Sequence, residues 1–327
     1  MAPLSKFHGQ FVKEQVVQLI RQFFLTKNFH EIDTPTLLPS LPLEPGLYSL
    51  STPWRHRQKN FYLATSPESS LKKLISQGIG NCFAISHAFR DLENIGPTHN
   101  LEFSMLEWYE IAKNYHHIAQ TTQKLILKIF QKILQKQGLK ATNILKYRGK
   151  NINLSPPWPS ATLQQLFLKY AKINLAKNLK NTSGDDPDWE PWFTKTMIDQ
   201  IEPNLPQNRP FIIYDYPTRL SPLAWPCPAT AGFSQRFEFF IANMEIGNAY
   251  TELTDSTIMQ KNFQKEKLYR QKHHLPLHLY DQTLVKATKK FPSCTGIAVG
   301  VDRLAMLFAN VANISQVLYF PTAKLLK

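Results

Sequence analysis

Three segments of this 327-residue chain place charged or amide side chains in apolar surroundings, a placement that needs a chemical reason. In the first, Phe103, Met105, Glu107 and Tyr109 share one face of a predicted strand, because side chains alternate along β structure. A carboxylate in such a row is costly to bury unless it meets a cation or several donors. A solvated face, or an internal lysine, would also account for it. The second segment runs from Arg236 through Glu245, Asn248 and Glu252 to Asp255, with acidic and amide groups recurring in an apolar strand pair near a glycine. That suits cation coordination or recognition of an ammonium group; a hairpin with its polar face outward is the alternative. The third is Gly296-Ile-Ala-Val-Gly300-Val-Asp302-Arg303. Small residues allow a ligand close to the backbone, and the start of a helix favours anions. Arg303 there opposes the helix dipole, which an anionic ligand would explain; a tight packing turn competes.

The elements that must position these segments can be read from periodicity. Phe11, Val12, Val16, Ile20, Phe23 and Phe24 predict a helix over 8–27, followed by a strand from Phe29 to Pro35 and a proline-rich loop. A strand at 61–65 precedes Ser66-Pro67-Glu68, which opens a helix through Ile75. Strands are predicted at 83–90 and 101–112 and a long helix at 116–137. An irregular basic insertion follows at about 140–205. Strands at 210–216, 235–243, 244–254 and 296–301 complete the chain, the last running into a helix from Asp302 to Ala309. Without regular βαβ spacing or a GxGxxG, the pattern favours an α+β fold, an antiparallel β-sheet flanked by helices, over a Rossmann fold.

Charge is unevenly placed. Between Ile111 and Gly184 there are 13 lysines and arginines and no acidic residue, against a net charge of +14 for the whole chain. Lys124, Lys128, Lys132 and Lys136 recur at i, i+4, and Leu125, Ile129 and Ile133 follow the first three. An acidic partner and a solvated lysine face both explain such a run. Nothing near Met1 resembles a signal peptide, and no apolar run reaches the roughly 18 residues of a membrane helix. Three scattered cysteines fit neither a disulfide framework nor a CxxC site, so a cytoplasmic location and no membrane partner are expected. The histidines show no HExxH or zinc-ligand spacing.

Taken together, the three segments resemble a known family. Phe89-Arg90, a loop, and His99-Asn100-Leu-Glu102-Phe-Ser-Met-Leu-Glu107-Trp-Tyr109 are similar to motif 2 of class II aminoacyl-tRNA synthetases in its lysyl form. Gly296 to Phe308 resembles motif 3, and the helix over 8–27 with its strand resembles motif 1, which implies a homodimer. Asp215 to Ala224 and Glu245 to Asp255 also resemble lysyl-enzyme segments. The resemblance implies one catalytic domain over 1–327 lacking the N-terminal anticodon-binding OB-fold. Ser66 stands where synthetases have Ala, and Ala298 where they have Gly. With Leu275 to Gln282, these resemble the short paralogues that attach β-lysine to elongation factor P. A methyl at Ala298 would shift pocket discrimination by roughly 1–3 kcal/mol. Arg90-Asp91-Leu92-Glu93 departs from Arg-Asn-Glu, and Ala249 from Gly.

The resemblance implies ATP and Mg²⁺ as cofactors and lysine or β-lysine as substrate. Elongation factor P is the implied acceptor, and tRNA is not expected. Arg90 would bridge the substrate carboxylate and the α-phosphate, Arg303 would hold the γ-phosphate, and Glu245 would bind Mg²⁺. Asp91, Leu92, Glu93, Asn100, Ile246 and Gly300 complete the implied ATP site. Ser66, Pro67 and Glu68 would meet the amino group near the reacting end, and Glu107, Tyr109 and Glu252 the distal ammonium. Asn248 would help position the carboxylate, and Ala298 would shape the pocket. A truncated lysyl-tRNA synthetase and a catalytically silent regulatory paralogue remain as alternatives.

Overall fold

The computed structural model describes residues 5–182 and 186–326. The chain opens with α1 (His8–Leu25), whose Val12, Val16, Leu19, Ile20 and Phe23 recur at helical spacing and are buried. Next come β1 (His30–Glu31) and a small antiparallel sheet of β2 (Leu37–Leu38), β3 (Ser51–Trp54) and β4 (Lys59–Leu63). Helix α2 (Glu68–Ile75) leads to the antiparallel pair β5 (Cys82–Phe89) and β6 (Glu102–Ile111). Asn114 then caps α3 (Tyr115–Lys136), its side chain accepting from the His117 backbone N–H.

The described residues of the segment at about 140–205, expected to be irregular, form regular elements instead. It holds the hairpin β7 (Ile144–Tyr147) and β8 (Lys150–Asn153), then β9 (Ser160–Thr162), α4 (Leu163–Leu166), α5 (Leu175–Asn181) and α6 (Trp189–Thr196). Leu163, Phe167, Trp189, Phe193 and Ile201 build a second core there. Helices α4, α5 and α6 are four, seven and eight residues long, too short for their spacing to stand out in the sequence. The chain returns through β10 (Phe211–Pro217), β11 (Phe233–Ile241) and β12 (Met244–Thr251) to α7 (Ser256–Lys272) and α8 (Gln282–Thr288). It ends with β13 (Cys294–Gly300), α9 (Val301–Ala309) and α10 (Thr322–Leu325). Helix α7 was not anticipated. It buries only Met259, Phe263 and Arg270, too thin a stripe to read as periodic.

The main sheet has the order β1-β5-β6-β13-β12-β11-β10-β9. It is antiparallel from β5 to β10, as expected, while the outermost pair at each edge is parallel. Helices α1, α3 and α9 cover one face around Phe24, Trp108, Ile126, Phe237 and Leu304. The other face of the central strands is left open to a cleft. No helix of the described residues is long and apolar enough to cross a membrane.

Candidate active site

That open face is the floor of a cavity of about 630 Å³. Strand register sets its side chains in two rows. One runs Glu238–Asn248–Ala298–Glu107 across β11, β12, β13 and β6, and the next Arg236–Tyr250–Gly296–Tyr109. All eight residues line the cavity. Their alternates Leu106, Trp108, Phe237, Ala249 and Ile297 point into the core, as a two-residue period requires. Between β11 and β12 the register slips: Phe239 faces Gly247, but Phe240 faces Glu245. Ile246 is the extra residue and is buried in the core, so the bulge brings Glu245 round to the cavity. Gly247 is needed there, because a Cβ would collide with the Ala298 carbonyl and the Phe239 ring.

One end of the cavity is acidic. Helix α2 is tied down by Asp281, which accepts from Ser69 Oγ at 2.5 Å and pairs with Lys73 Nζ at 2.5 Å. Burial pushes the Asp281 carboxyl up, but hydrogen bonds from Lys73, Ser69 and Thr283 prevail and hold it below its usual value. From the same helix the fully buried Lys72 pairs with Glu68 Oε1 and with Glu252 Oε2 at 2.6 Å. Tyr250 also donates its hydroxyl to Glu68 Oε1, and its ring lies 5.0 Å from Lys72 Nζ. Tyr109 donates to Glu107 Oε2 at 3.3 Å. Glu252 Oε1 is buried and meets no donor among the described residues. A Cβ at Gly296 would collide with that oxygen and with the Tyr109 ring.

Lys72 is thus paired with two carboxyls, Glu68 and Glu252, and two more, Glu44 and Glu107, feel its charge from the same cavity. Burial lowers the affinity of Lys72 for its proton, but Glu252 and Glu68 more than reverse this and keep it charged. Burial pushes Glu252 up to about 8 against the pull of Lys72. Burial and the neighbouring Glu68 push Glu44 up to about 7, and the same two causes raise Glu107 well above the usual carboxyl range.

The other end is cationic. Arg303, in the first turn of α9, donates from Nη1 to the Glu245 carbonyl at 2.8 Å and from Nε to the Thr98 carbonyl at 3.3 Å. Its Nη2 lies 2.7 Å from His99 Nε2, and burial together with Arg303 lowers the His99 pKa. The adjacent Asp302 accepts from the Ser104 backbone N–H at 2.7 Å and pairs with Lys13 at 2.6 Å, which fixes α9 against β6 and α1. Arg90 lies 5.2 Å over the Phe103 ring; its Nη1 is 3.3 Å from Glu93 Oε1, and its buried Nε lacks a partner among the described residues. Back toward the acidic end, in the row of Tyr250 and Tyr109, Arg236 Nη2 donates to Glu238 Oε1 at 2.8 Å, and the Tyr216 hydroxyl donates to Glu238 Oε2 at 2.7 Å. Burial and the charge of Glu245 push Glu238 up to about 7 against the pull of Arg236.

Of the residues proposed from sequence, Ser66, Glu68, Arg90, Glu107, Tyr109, Glu245, Asn248, Glu252, Ala298 and Arg303 line this one cavity. Others lie outside the lining. Pro67 precedes the first turn of α2. Asp91 faces a separate pocket beside Tyr62 and His278, Leu92 is exposed, and Glu93 is engaged with Arg90. The Asn100 side chain donates to the Glu102 carbonyl at 2.7 Å and accepts from the Thr322 N–H at 3.0 Å. The bulge buries Ile246, and Gly300 serves as the N-cap of α9. Lining residues the sequence analysis gave no role include Glu44, His99, Tyr216, Arg236, Glu238 and Tyr250, with Lys72 behind them.

Comparison with known proteins agrees with this architecture. Residues 10–324 match the family described as tRNA synthetases class II (D, K and N). The chain is 33% identical over 324 residues to the elongation factor P–(R)-β-lysine ligase of Buchnera aphidicola subsp. Schizaphis graminum, covering 97% of each protein. It is 27% identical to the ligase of the same name from Hamiltonella defensa, over 99% of this chain and 97% of that one. A lysine–tRNA ligase of the same Buchnera is 29% identical, but the match spans only 63% of that longer protein. The chain belongs to the class II tRNA synthetases, and within them to the family of the elongation factor P–(R)-β-lysine ligases.

Proposed function

We infer that this protein uses ATP to activate lysine or (R)-β-lysine as an aminoacyl-adenylate, then transfers it to a lysine side chain of elongation factor P. The polarity of the cavity carries this reading. Glu107 and the unpartnered Glu252 Oε1 lie at one end, and Arg90 and Arg303 at the other. A substrate with a distal ammonium and a reacting carboxylate fits that polarity, with a polyphosphate beyond it. The end-to-end match to ligases named for elongation factor P supports the acceptor.

In the first step the substrate carboxylate attacks the α-phosphorus and pyrophosphate leaves. In the second, the acceptor amine attacks the acyl carbon, AMP departs with the acyl oxygen, and the amine loses a proton. Such chemistry needs positioning and charge neutralisation more than proton transfer. Arg90, with Nε unused, holds the carboxylate. Arg303 is aimed by two backbone carbonyls and His99 before any phosphate arrives. Glu245, with Glu238 on the neighbouring strand, offers hard oxygen donors suited to Mg²⁺. Among the described residues no three His, Cys, Asp or Glu converge on a metal, so such an ion would take its other ligands from phosphate and water. Bound there, it would neutralise phosphate charge. Phe7 and Phe11, half-exposed at the start of α1 beside Tyr319, give a second copy an apolar face to cover.

ATP–pyrophosphate exchange tests this reading. Exchange should require lysine or (R)-β-lysine and Mg²⁺. Arg303→Ala should lower its rate by roughly 10²–10³, the scale of losing one preorganised charge-stabilising group. Near-normal exchange in that variant, or exchange indifferent to the amino acid, would overturn adenylation.

A further inference from the structure

The carboxyl of Glu44 has no role in the arrangement above, yet the fold places it with care. It stands on the loop between β2 and β3, and that loop is held from beneath by Arg270. Arg270 is completely buried on α7 and donates from Nη2 to the carbonyls of Glu44, at 2.6 Å, and Leu47, at 2.8 Å. Its Nη1 reaches the Pro276 carbonyl at 3.2 Å, Glu266 accepts from Nε at 2.7 Å, and the guanidinium lies 4.8 Å over the Tyr48 ring. The far end of the loop is fixed too, since the Asp91 N–H donates to the Tyr48 carbonyl at 2.9 Å. A guanidinium fork has a rigid planar geometry, so its three contacts to the loop, at Glu44, Leu47 and Tyr48, leave that loop little freedom.

The loop turns the Glu44 side chain into the cavity, where its charged neighbours are Glu68, Lys72, Arg90 and Arg236. Glu44 therefore sits where the acidic end meets the arginines. An amino-acid substrate must place its proximal ammonium at such a junction, next to the carboxylate that an arginine holds. Glu68 gives Oε1 to Lys72 and Tyr250, which leaves one of its two oxygens for that ammonium and room for a second carboxyl beside it. Ser66 Oγ accepts from the Glu68 N–H at 3.2 Å and carries no charge to offer an ammonium. The Glu44 carboxyl makes no hydrogen bond or ion pair among the described residues. We propose that Glu44 is the acidic partner of the substrate's proximal ammonium, a specificity residue presented by the Arg270-clamped loop. This rests on the adenylation reading.

The test compares (R)-β-lysine and α-lysine with 6-aminohexanoate, which keeps the carboxylate and distal ammonium but has no proximal amine. Binding is measured by calorimetry, and exchange in parallel, for the wild type, Glu44→Gln and Glu44→Asp. Glu44→Gln should weaken the preferred lysine isomer by about ten- to a hundredfold, as loss of a charged hydrogen bond does. Binding of 6-aminohexanoate should change by less than about threefold on the same scale. Glu44→Asp keeps the charge and should recover part of the loss. An equal loss for all three ligands, or none for any, would overturn the assignment. If the wild type neither binds these ligands nor supports exchange, the adenylation reading itself falls. Unchanged melting of Glu44→Gln is expected, because the carboxyl bonds to nothing among the described residues; a large drop would mark Glu44 as structural and overturn its assignment.

Discussion

Burial raises the carboxyls of Glu44, Glu107 and Glu252 at the acidic end of the cavity, so that end holds protons near neutral pH. Burial places Glu252 at about 8 and Glu44 at about 7, while Lys72 keeps its charge. An incoming ammonium favours the ionised carboxylates, so substrate binding should release protons, and affinity should rise with pH through 7 to 8. Calorimetry at pH 7 in two buffers of different ionisation heat measures this directly; zero release or proton uptake would show that these carboxyls do not face the ammonium. Part of the cluster was legible from sequence. Glu107 and Tyr109 stand on one face of an alternating strand, and Glu252 recurs in the acidic row. Lys72 could have been read as well, since Glu68, Leu71, Lys72 and Ile75 form one buried helical face. An internal lysine was weighed for Glu107, but it serves Glu68 and Glu252 instead. Glu44 could not be found in this way. Its place depends on a loop held by a residue 226 positions away.

At the scale of elements, α2 and β12 are joined through the Lys72 ion pairs, and α2 and α8 through Ser69, Lys73 and Asp281. Lys72→Met should therefore destabilise the protein by roughly 3–5 kcal/mol, because two buried carboxylates lose their cation. Chemical denaturation would register this as a lower midpoint. A variant as stable as the wild type would show that the carboxyls take up protons without penalty. The strands of the floor were visible because their period is regular; Arg236-Phe-Glu-Phe displays it plainly. The bulge at Ile246 was not visible. One extra residue leaves composition unchanged but inverts which side chain faces the cavity, so Glu245 faces the cleft while the Ile246 side chain packs in the core. The lysine-rich segment is hard to read for another reason: its helices are only four, seven and eight residues long, too short for a period to show.

For the whole molecule, the question is how the acceptor is brought to this cleft. Lys124, Lys128, Lys132 and Lys136 are exposed along α3 beside α1, with Lys128 Nζ 5.6 Å from the Phe23 ring and Lys136 Nζ 3.4 Å from Gln18 Oε1. Like charges at this spacing disfavour a helix by roughly 0.2–0.5 kcal/mol per pair, which an acidic partner would offset. Changing all four to Gln should slow transfer and flatten its salt dependence, while adenylate formation persists because the stripe lies apart from the cavity. Unaltered transfer and salt response would make the stripe a solvated face. The central claim is tested most directly by supplying the wild-type protein with ATP, Mg²⁺ and labelled (R)-β-lysine, with elongation factor P and lysine tRNA in the same vessel. Label should appear on a single lysine of elongation factor P, located by mass spectrometry of its peptides, and not on the tRNA. Label on the tRNA with none on the protein would contradict it and make the chain a tRNA-charging enzyme.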